Sequence, residues 1–199
     1  VVDDGSTDAT AAEARAAGAP VASHACNLGY GAALQTGYRY ALRRGYDAVI
    51  QLDADGQHDP AGIQALAAGL DGADVVVGSR FLAASSYKVP FARRLGMRVF
   101  GGIASLLAGR RITDPTSGYQ AISRAALRFY IHERYPADYP DADVLAMVAR
   151  SGLGLAEVPV RMREGPPGKS MHSGLLKPLY YAIRMSVALA LVPFRVEKR

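Results

Sequence analysis

Short apolar runs alternate along this chain with longer segments whose apolar residues recur at helical spacing. The short runs include "AVI" at residues 48–50 and "VVV" at residues 75–77, and their length is typical of buried strands. One of the longer segments places Leu34, Tyr38 and Leu42 on a single helical face. Strands that alternate with helices in this way predict an α/β fold, with a mainly parallel sheet covered by helices.

Capping and turn residues mark the ends of these elements. Ser6, Thr7 and Asp8 precede an alanine-rich helix that ends at Gly18, and Pro60 suits the first turn of another helix. The predicted strands lie at residues 1–2, 20–24, 47–52, 73–79, the end of 114–123, and 154–162. The predicted helices lie at residues 9–17, 30–44, 60–70, 93–107, 123–131, 142–150 and from 175 onward.

These elements predict one domain at residues 1–174 and a basic, apolar helix at residues 175–199. The chain opens at Val1 within a strand, so we expect that the first strand of the fold precedes it. The longest uncharged stretch of the terminal helix, residues 185–194, has 10 residues. As a helix it would be about 15 Å long, half a bilayer core, which is too short to span a membrane. The helix therefore packs on the domain or lies in the membrane interface.

The composition is that of an ordinary globular domain, with 50% hydrophobic and 21% charged residues among 199. Lys and Arg outnumber Asp and Glu by 23 to 18. This balance favours anionic partners: phosphates, a nucleic-acid backbone or an anionic membrane surface. The single cysteine, Cys26, excludes an internal disulfide and indicates a reducing compartment. We expect Cys26 to be a small buried side chain.

Carboxylates follow directly after one predicted strand, in the sequence "QLDADGQHD". In an open parallel sheet, ligands gather beyond the carboxyl ends of the strands. Asp53 and Asp55 are one residue apart, and two carboxylates brought together repel unless a cation lies between them. A hard divalent ion, Mg²⁺ or Mn²⁺, suits these ligands, and Gln57 can add a neutral oxygen. The alternative is a polar turn with solvated aspartates.

Two further groups of residues suit a phosphorylated ligand. Asp3 and Asp4 end the first strand, where carboxylates can accept hydrogen bonds from a nucleobase or ribose, although the same residues fit an ordinary turn before a helix. Cations lie in three segments, and the planar fork of arginine suits phosphates. Arg80 directly follows a buried strand, "FARRLGMR" supplies Arg93, Arg94 and Arg98, and a glycine-rich loop carries Lys169 beside Ser170. Each of these cations also fits a solvated surface charge.

Seven motifs, taken in chain order, resemble those of the GT-A glycosyltransferases of family two. They are "VVDDGSTDAT", "NLGYGAALQTGY", "QLDADGQHDP", "VVVGSRF", "RRLGMR", "ITDPTSGYQA" and "AEVPVRM" with its later "GKS". They are most similar to the branch that contains dolichyl-phosphate mannose synthase and bacterial polyprenyl-phosphate glycosyltransferases. The resemblance implies a Rossmann-like GT-A fold and a nucleoside-diphosphate sugar as donor.

The resemblance also implies roles for individual residues. The residues implied to bind the nucleotide sugar are Asp3, Asp4, Asp53, Ala54 and Asp55. The implied metal ligands are Asp53, Asp55 and Gln57. The residues implied on the phosphate and acceptor side are Arg80, Arg93, Arg94, Asp114, Thr116, Ser117, Lys169 and Ser170. The candidate catalytic residues are Asp53, Asp55, Arg80 and Asp141.

The predicted reaction is inverting transfer of a hexosyl group from a UDP- or GDP-hexose to a polyprenyl phosphate, which is already anionic and needs little general base. A sugar or small hydroxyl acceptor is the alternative. Asp141 or Asp143 would then take its proton, although each also fits a helix-start carboxylate. A nucleotidyltransferase and a non-catalytic nucleotide-sugar-binding fragment stay open as other classes. We expect a cytoplasmic protein, peripheral on the cytoplasmic face of the membrane, with no nucleic-acid partner.

Overall fold

The structure is a computed structural model that describes residues 1–82, 91–132, 135–136, 139–163 and 176–196. Its contacts divide the chain into two compact units. The first consists of Val1–Val49 and Arg124–Pro140, and the second of Ile50–Ser123 and Asp141–Arg199. The chain therefore passes from the first unit into the second at Ile50, returns to the first at Arg124, and enters the second again at Asp141.

The helices and strands confirm the predicted ones. The strands are β1 (Val2–Asp3), β2 (Ala22–Ser23), β3 (Ala48–Gln51), β4 (Val75–Ser79), β5 (Gln120–Ser123) and β6 (Leu155–Pro159). The helices are α1 (Thr10–Ala16), α2 (Tyr30–Arg43), α3 (Ile63–Gly69), α4 (Phe91–Ala108), α5 (Arg124–Tyr130), α6 (Ala142–Arg150) and α7 (Leu176–Arg195). A 3₁₀ turn at Pro60–Gly62 leads into α3, with Pro60 in its first turn as predicted.

The first unit pairs β1 with β2 in parallel and packs α2 against β1 and α5. Tyr38 lies on the buried face of α2, as its spacing predicted, and is 2% exposed. Its ring centroid lies 5.4 Å from that of Tyr130 and 6.0 Å from that of Tyr135. This aromatic cluster forms the core between α2 and the returning segment of the chain.

The turn after β1 depends on Gly5, which has a φ of +70°. A Cβ added there would lie 2.6 Å from the carbonyl carbon of Cys26 and 2.8 Å from the nitrogen of Asn27. The backbone at these two residues therefore passes directly over Gly5. The side chain of Cys26 is exposed, so the prediction that it is buried is wrong. Cys26 lies on this surface loop and not on an element that packs into a core.

The second unit is built on a four-stranded sheet in the order β3-β5-β4-β6. β4 pairs in parallel with β6 and antiparallel with β5. All residues of β4 are buried, as expected for a central strand. Leu66 of α3 packs with Val76, Tyr119 and Val160 in the core of this unit. The predicted α/β fold is confirmed, with β5 reversed relative to β4.

Helices α4, α6 and α7 pack against one another in the second unit. All residues from Ala142 to Val148 of α6 are buried. The other two helices each leave a stripe of apolar side chains exposed, which we call the α4 stripe and the α7 stripe. The α4 stripe is Val99, Ile103 and Leu106, and the α7 stripe is Tyr180, Ile183, Val187, Leu191 and Phe194. Within the described ranges, every helix falls short of the length or apolar character needed to cross a membrane.

We expect Gly5→Ala to lower the free energy of unfolding by more than Gly18→Ala does. Both glycines have a positive φ, +70° and +79°. At such angles an L-residue costs about 1–2 kcal/mol. Only at Gly5 would the added methyl group also meet backbone atoms, whereas nothing lies within 4 Å of it at Gly18. Urea unfolding of the two variants measures the difference, and equal losses would contradict the close approach at Gly5.

Candidate active site

The loop after β3 carries the paired carboxylates and is ordered by its own hydrogen bonds. The Gln57 N–H donates to Oδ1 of Asp55 at 2.9 Å, and Gly56 between them has a φ of +77°. The Asp53 N–H donates to Nδ1 of His58, also at 2.9 Å. Asp53 is partly buried and Asp55 is exposed. The loop therefore presents both carboxylates at the carboxyl end of β3.

His58 anchors this loop, although it was not among the predicted site residues. Its imidazole is 7% exposed and stacks on Tyr119, with ring centroids 4.8 Å apart. Because Nδ1 accepts a hydrogen bond from Asp53, the ring proton of the neutral imidazole lies on Nε2. Burial lowers the pKa of His58, whereas the charges of Asp53 and Asp55 act to raise it. Both carboxylates therefore act on one imidazole at the end of β3.

Arg80, the first residue after β4, forms a buried ion pair with Asp114. The two side chains are 6% and 0% exposed. The Arg80 N–H and Nε–H donate to Oδ2 of Asp114 at 3.0 and 2.7 Å. Nη2 donates to Oδ1 of Asp114 and to Oγ1 of Thr116. This bidentate geometry fixes the loop before β5 to the end of β4.

Glu157 of β6 holds the same loop from the other side. Its carboxylate accepts the backbone N–H of Thr113 at 2.8 Å and that of Asp114 at 2.9 Å. Ser117 is 3% exposed and donates to the carbonyl oxygen of Gly78 at 2.6 Å. Asp114 and Ser117 are thus engaged inside the protein, and their contact with an acceptor remains a prediction. Glu157 was not among the predicted site residues. The sequence around it predicts a strand but does not indicate which groups its carboxylate contacts.

A second pair of carboxylates lies at the start of α6. Asp143 is fully buried and Asp141 is partly exposed. The Asp141 side chain makes no helix-capping hydrogen bond, and its Oδ2 accepts from the hydroxyl of Tyr181 on α7 at 2.9 Å. Burial raises the pKa of Asp141 to about 7, with smaller influences from the charges of Arg80 and Asp53. The structure therefore brings Asp141 within electrostatic range of two other predicted site residues.

In the first unit, Asp4 is committed to internal hydrogen bonds. Its Oδ1 lies 2.7 Å from Nδ1 of His24 and accepts from the Leu28 N–H, while Oδ2 accepts from the Gly29 N–H at 2.9 Å. Burial acts to raise the pKa of Asp4, and these hydrogen bonds outweigh it and lower the pKa. Asp3 is 5% exposed. The contact of both aspartates with a nucleoside remains a prediction.

Four predicted residues lie partly or wholly beyond what the structure describes. Arg93 and Arg94 fall in the first turn of α4, but their side chains are outside the described part of the chain. Lys169 and Ser170 belong to residues 164–175, which are also outside it. The binding of phosphate by these four residues remains a prediction.

The donor atoms of the β3 loop fit a hard divalent ion. Asp53 and Asp55 offer carboxylate oxygens, and the partly buried Gln57 offers an amide oxygen, with Ala54 exposed between the aspartates. Oxygen ligands of this kind suit Mg²⁺ and Mn²⁺, which take one or two carboxylates together with water and substrate phosphates. Among the residues that the structure describes, no group of three or more His, Cys, Asp or Glu side chains could hold a metal ion.

The fold and the site define a Rossmann-like protein that places acidic and basic side chains just beyond the ends of its strands. This is the edge at which such folds bind their ligands. The chain belongs to the Glycosyl transferase family 2, whose domain it matches over residues 1–131. The predicted family, the GT-A fold and the prediction of a glycosyltransferase are thereby confirmed.

Two curated relatives and one solved structure illustrate the similarity. An undecaprenyl-phosphate mannosyltransferase of Micrococcus luteus is 33% identical over 182 residues, covering 87% of this chain and 75% of the relative. A polyprenol monophosphomannose synthase of Mycolicibacterium smegmatis is 32% identical over 189 residues, covering 87% and 69%. Glucosyl-3-phosphoglycerate synthase of Mycobacterium tuberculosis, with Mn²⁺, UDP-glucose and phosphoglyceric acid, matches at TM-score 0.66 and 24% identity, covering 96% of this chain and 66% of that one. This chain spans about two thirds to three quarters of these relatives' lengths.

We expect Asp114→Asn to lower the free energy of unfolding by about 3–5 kcal/mol, because it leaves the buried guanidinium of Arg80 without its counter-ion. Asp47→Asn is the matched control. Asp47 is 92% exposed and pairs with Arg124 at 3.4 Å. An exposed pair of this kind contributes about 1 kcal/mol or less. Urea unfolding followed by circular dichroism compares the variants, and similar small losses would contradict a desolvated ion pair.

Proposed function

We propose that this protein transfers a hexosyl group from a nucleoside-diphosphate sugar to a polyprenyl phosphate, with inversion at the anomeric carbon. The observation that carries the proposal is the pair Asp53 and Asp55 at the end of β3, in a chain of Glycosyl transferase family 2. Both curated relatives named above carry names that specify a polyprenyl-type acceptor and a mannosyl group. The proposal covers the acceptor class and leaves the hexose open.

The loop after β3 would bind the diphosphate of the donor. Carboxylates alone repel a diphosphate, so Asp53, Asp55 and Gln57 would hold Mg²⁺ or Mn²⁺ between themselves and the donor. A bound divalent ion stabilises negative charge on a departing nucleoside diphosphate. The presence of Mn²⁺ and UDP-glucose in the solved relative supports a divalent ion and a uridine donor. A GDP donor stays within the proposal, and Asp3 and Asp4 would contact either nucleoside.

A phosphate acceptor requires cations more than it requires a base. A phosphate monoester is anionic at neutral pH and attacks without first losing a proton. We propose that Arg93, Arg94 and Lys169 neutralise the charge of the acceptor phosphate, with Ser170 as a hydrogen-bond donor. Arg80 is already paired with Asp114, so its contribution is to hold the loop and to supply positive potential at the end of β4.

A hydroxyl acceptor is the second candidate, and the properties of Asp141 favour it. A carboxyl whose pKa is about 7 has the proton affinity that suits a general base at neutral pH. The two candidates differ in the expected effect of Asp141→Asn. Transfer to a hydroxyl would fall about 10²- to 10⁴-fold without its base. Transfer to polyprenyl phosphate would persist, because that acceptor has no proton to give up.

We expect UDP or GDP to be released from a sugar nucleotide when polyprenyl phosphate is present, and Asp53→Asn or Asp55→Asn to lower this turnover about 10²- to 10³-fold. The leaving group would lose its electrostatic stabilisation in either variant. Asp71→Asn, at an exposed aspartate of the same unit, is the matched control and should not change turnover. A chelator should abolish turnover, and Mn²⁺ or Mg²⁺ should restore it.

Two outcomes of this assay would contradict the proposal. Release of pyrophosphate instead of a nucleoside diphosphate would indicate a nucleotidyltransferase. Metal-dependent binding of UDP or GDP without turnover, with polyprenyl phosphate and with hydroxyl acceptors, would indicate a binding module.

We further propose that the protein is peripheral on the cytoplasmic face of a membrane, which it contacts through the α4 and α7 stripes. Residues 75–113 and 165–196, which include these helices, contain eleven Lys or Arg and no Asp or Glu. The rest of the chain contains twelve Lys or Arg and all eighteen acidic residues. Apolar stripes in segments whose charged residues are all basic are complementary to an anionic lipid surface. They are not complementary to a second copy of themselves, because the like charges would repel.

We expect Val187→Asp and Phe194→Asp each to weaken binding to vesicles of phosphatidylcholine and phosphatidylglycerol by about tenfold or more. Burying one large apolar side chain contributes about 1.5–3 kcal/mol, and the added charge opposes it. Val187 and Phe194 are 55% and 83% exposed, so the fold should tolerate the change. The matched control is Tyr46→Asp, because Tyr46 is 55% exposed but lies on neither helix. Equal vesicle binding by all three variants would contradict the proposed surface.

A further inference from the structure

Helix α7 presents its apolar stripe on one face, and other side chains of the helix reach the carboxylates of α6. The Tyr181 hydroxyl donates to Oδ2 of Asp141 at 2.9 Å, and Nη1 of Arg195 lies 3.8 Å from Oδ2 of Asp143. Tyr181 and Arg195 are 14 residues apart in the sequence. That separation is about 21 Å along a helix axis. The two carboxylates that they approach, those of Asp141 and Asp143, are only two residues apart in the sequence. One helix therefore reaches both acidic side chains at the start of α6.

The ring of Tyr181 is held independently of its hydroxyl. Phe100 of α4, which is 9% exposed, meets the ring edge-on with centroids 6.2 Å apart and an interplanar angle of 85°. Such an edge-to-face contact is a favoured aromatic geometry. The neighbouring Tyr180 belongs to the α7 stripe and is 55% exposed. Removing the Tyr181 hydroxyl would therefore leave the ring packed while removing its contact with Asp141.

Asp141 experiences charges of both signs from the elements around it. Asp143 on its own helix and Asp53 on the β3 loop oppose its ionisation, and Arg80 at the end of β4 favours it. Burial raises the pKa of Asp141 to about 7, and the hydrogen bond from Tyr181 acts to lower it. A donor on Oδ2 also decides which oxygen of the carboxyl is left for a ligand. Tyr181 thus bears on both the orientation and the proton affinity of this side chain.

We propose that Tyr181 is a positioning residue, which holds the Asp141 carboxyl in one orientation and makes the acceptor side of the active site depend on helix α7. The inference rests on the second candidate function, transfer to a hydroxyl acceptor, in which Asp141 takes the acceptor's proton. The helix that contacts the lipid surface through its apolar stripe is then also the helix that holds Asp141.

Titration of the Asp141 carboxyl carbon by ¹³C NMR, on the full metal-free chain, tests the contact without any need for activity. The signal, identified by its loss in Asp141→Asn, should titrate near pH 7. Tyr181→Phe removes one hydrogen bond to the charged form, so the midpoint should rise by about one pH unit. Tyr180→Phe is the matched control and should leave the midpoint unchanged. Equal midpoints in Tyr181→Phe and the unmodified chain overturn the proposal.

Phe100→Leu is a second variant, which keeps the hydroxyl but removes the edge contact that aligns it. It should move the midpoint in the same direction as Tyr181→Phe and by less. A midpoint that does not move in either variant overturns the proposal independently of any effect on folding.

Turnover supplies the second readout. With a hydroxyl acceptor, the pH profile of nucleoside-diphosphate release by Tyr181→Phe should shift with the NMR midpoint, with kcat changed and the donor KM unchanged. In the Asp141→Asn background, Tyr181→Phe should have no further effect on turnover. A stationary pH profile together with a shifted NMR midpoint overturns the link to the acceptor side. If the unmodified chain transfers no sugar but the midpoint still shifts, the proposed function fails while the contact between Tyr181 and Asp141 is upheld.

Discussion

The buried ion pair between Arg80 and Asp114 is the constraint on which the candidate site depends. Either charge buried alone would cost several kcal/mol, whereas the bidentate pair satisfies both. Through it, the end of β4 and the loop before β5 become one rigid piece, and Glu157 fastens that piece to β6. The side chains of Arg80, Asp114 and Glu157 are engaged in hydrogen bonds within the protein. What it offers a ligand is therefore its position and its electric field.

That field reaches the other parts of the site in the second unit. Arg80 acts on the protonation of both His58 and Asp141, and Asp53 acts on the same two groups with the opposite sign. Carboxylates dominate around the end of β3, so an anionic donor requires a cation to approach them. The same feature explains why a nucleoside-diphosphate donor and a divalent ion belong together in the proposal.

The helices and strands could be predicted because their signals are local. Gly18 and Gly45 adopt positive φ just after α1 and α2, where their sequence positions indicated helix ends. The direction of β5 could not be predicted, since it depends on which strand it meets. Cys26 was misjudged because it lies on a surface loop, and its exposure there is not indicated by the local sequence.

The candidate site shows the same division. Asp53, Asp55 and Arg80 were accessible to prediction because each follows a strand within a few residues. Glu157 was not, because its partners lie more than forty residues away in the chain. One sequence signal could have identified Tyr181 as a residue with a buried hydrogen bond. It shares helical spacing with Met185 and Leu189, which are buried. A tyrosine on a buried helical face needs a partner for its hydroxyl.

The reversal of β5 has a consequence for the segment of chain between β4 and β5. Because β5 runs opposite to β4, it enters the sheet at the edge where β4 leaves it. The chain from Arg80 to Asp114 is therefore an excursion that starts and finishes at one place, clasped by its own ion pair. Because α4 within this excursion packs against α6 and α7, the ion pair and this packing together fix the part of the chain on which the candidate acceptor residues Arg93 and Arg94 lie.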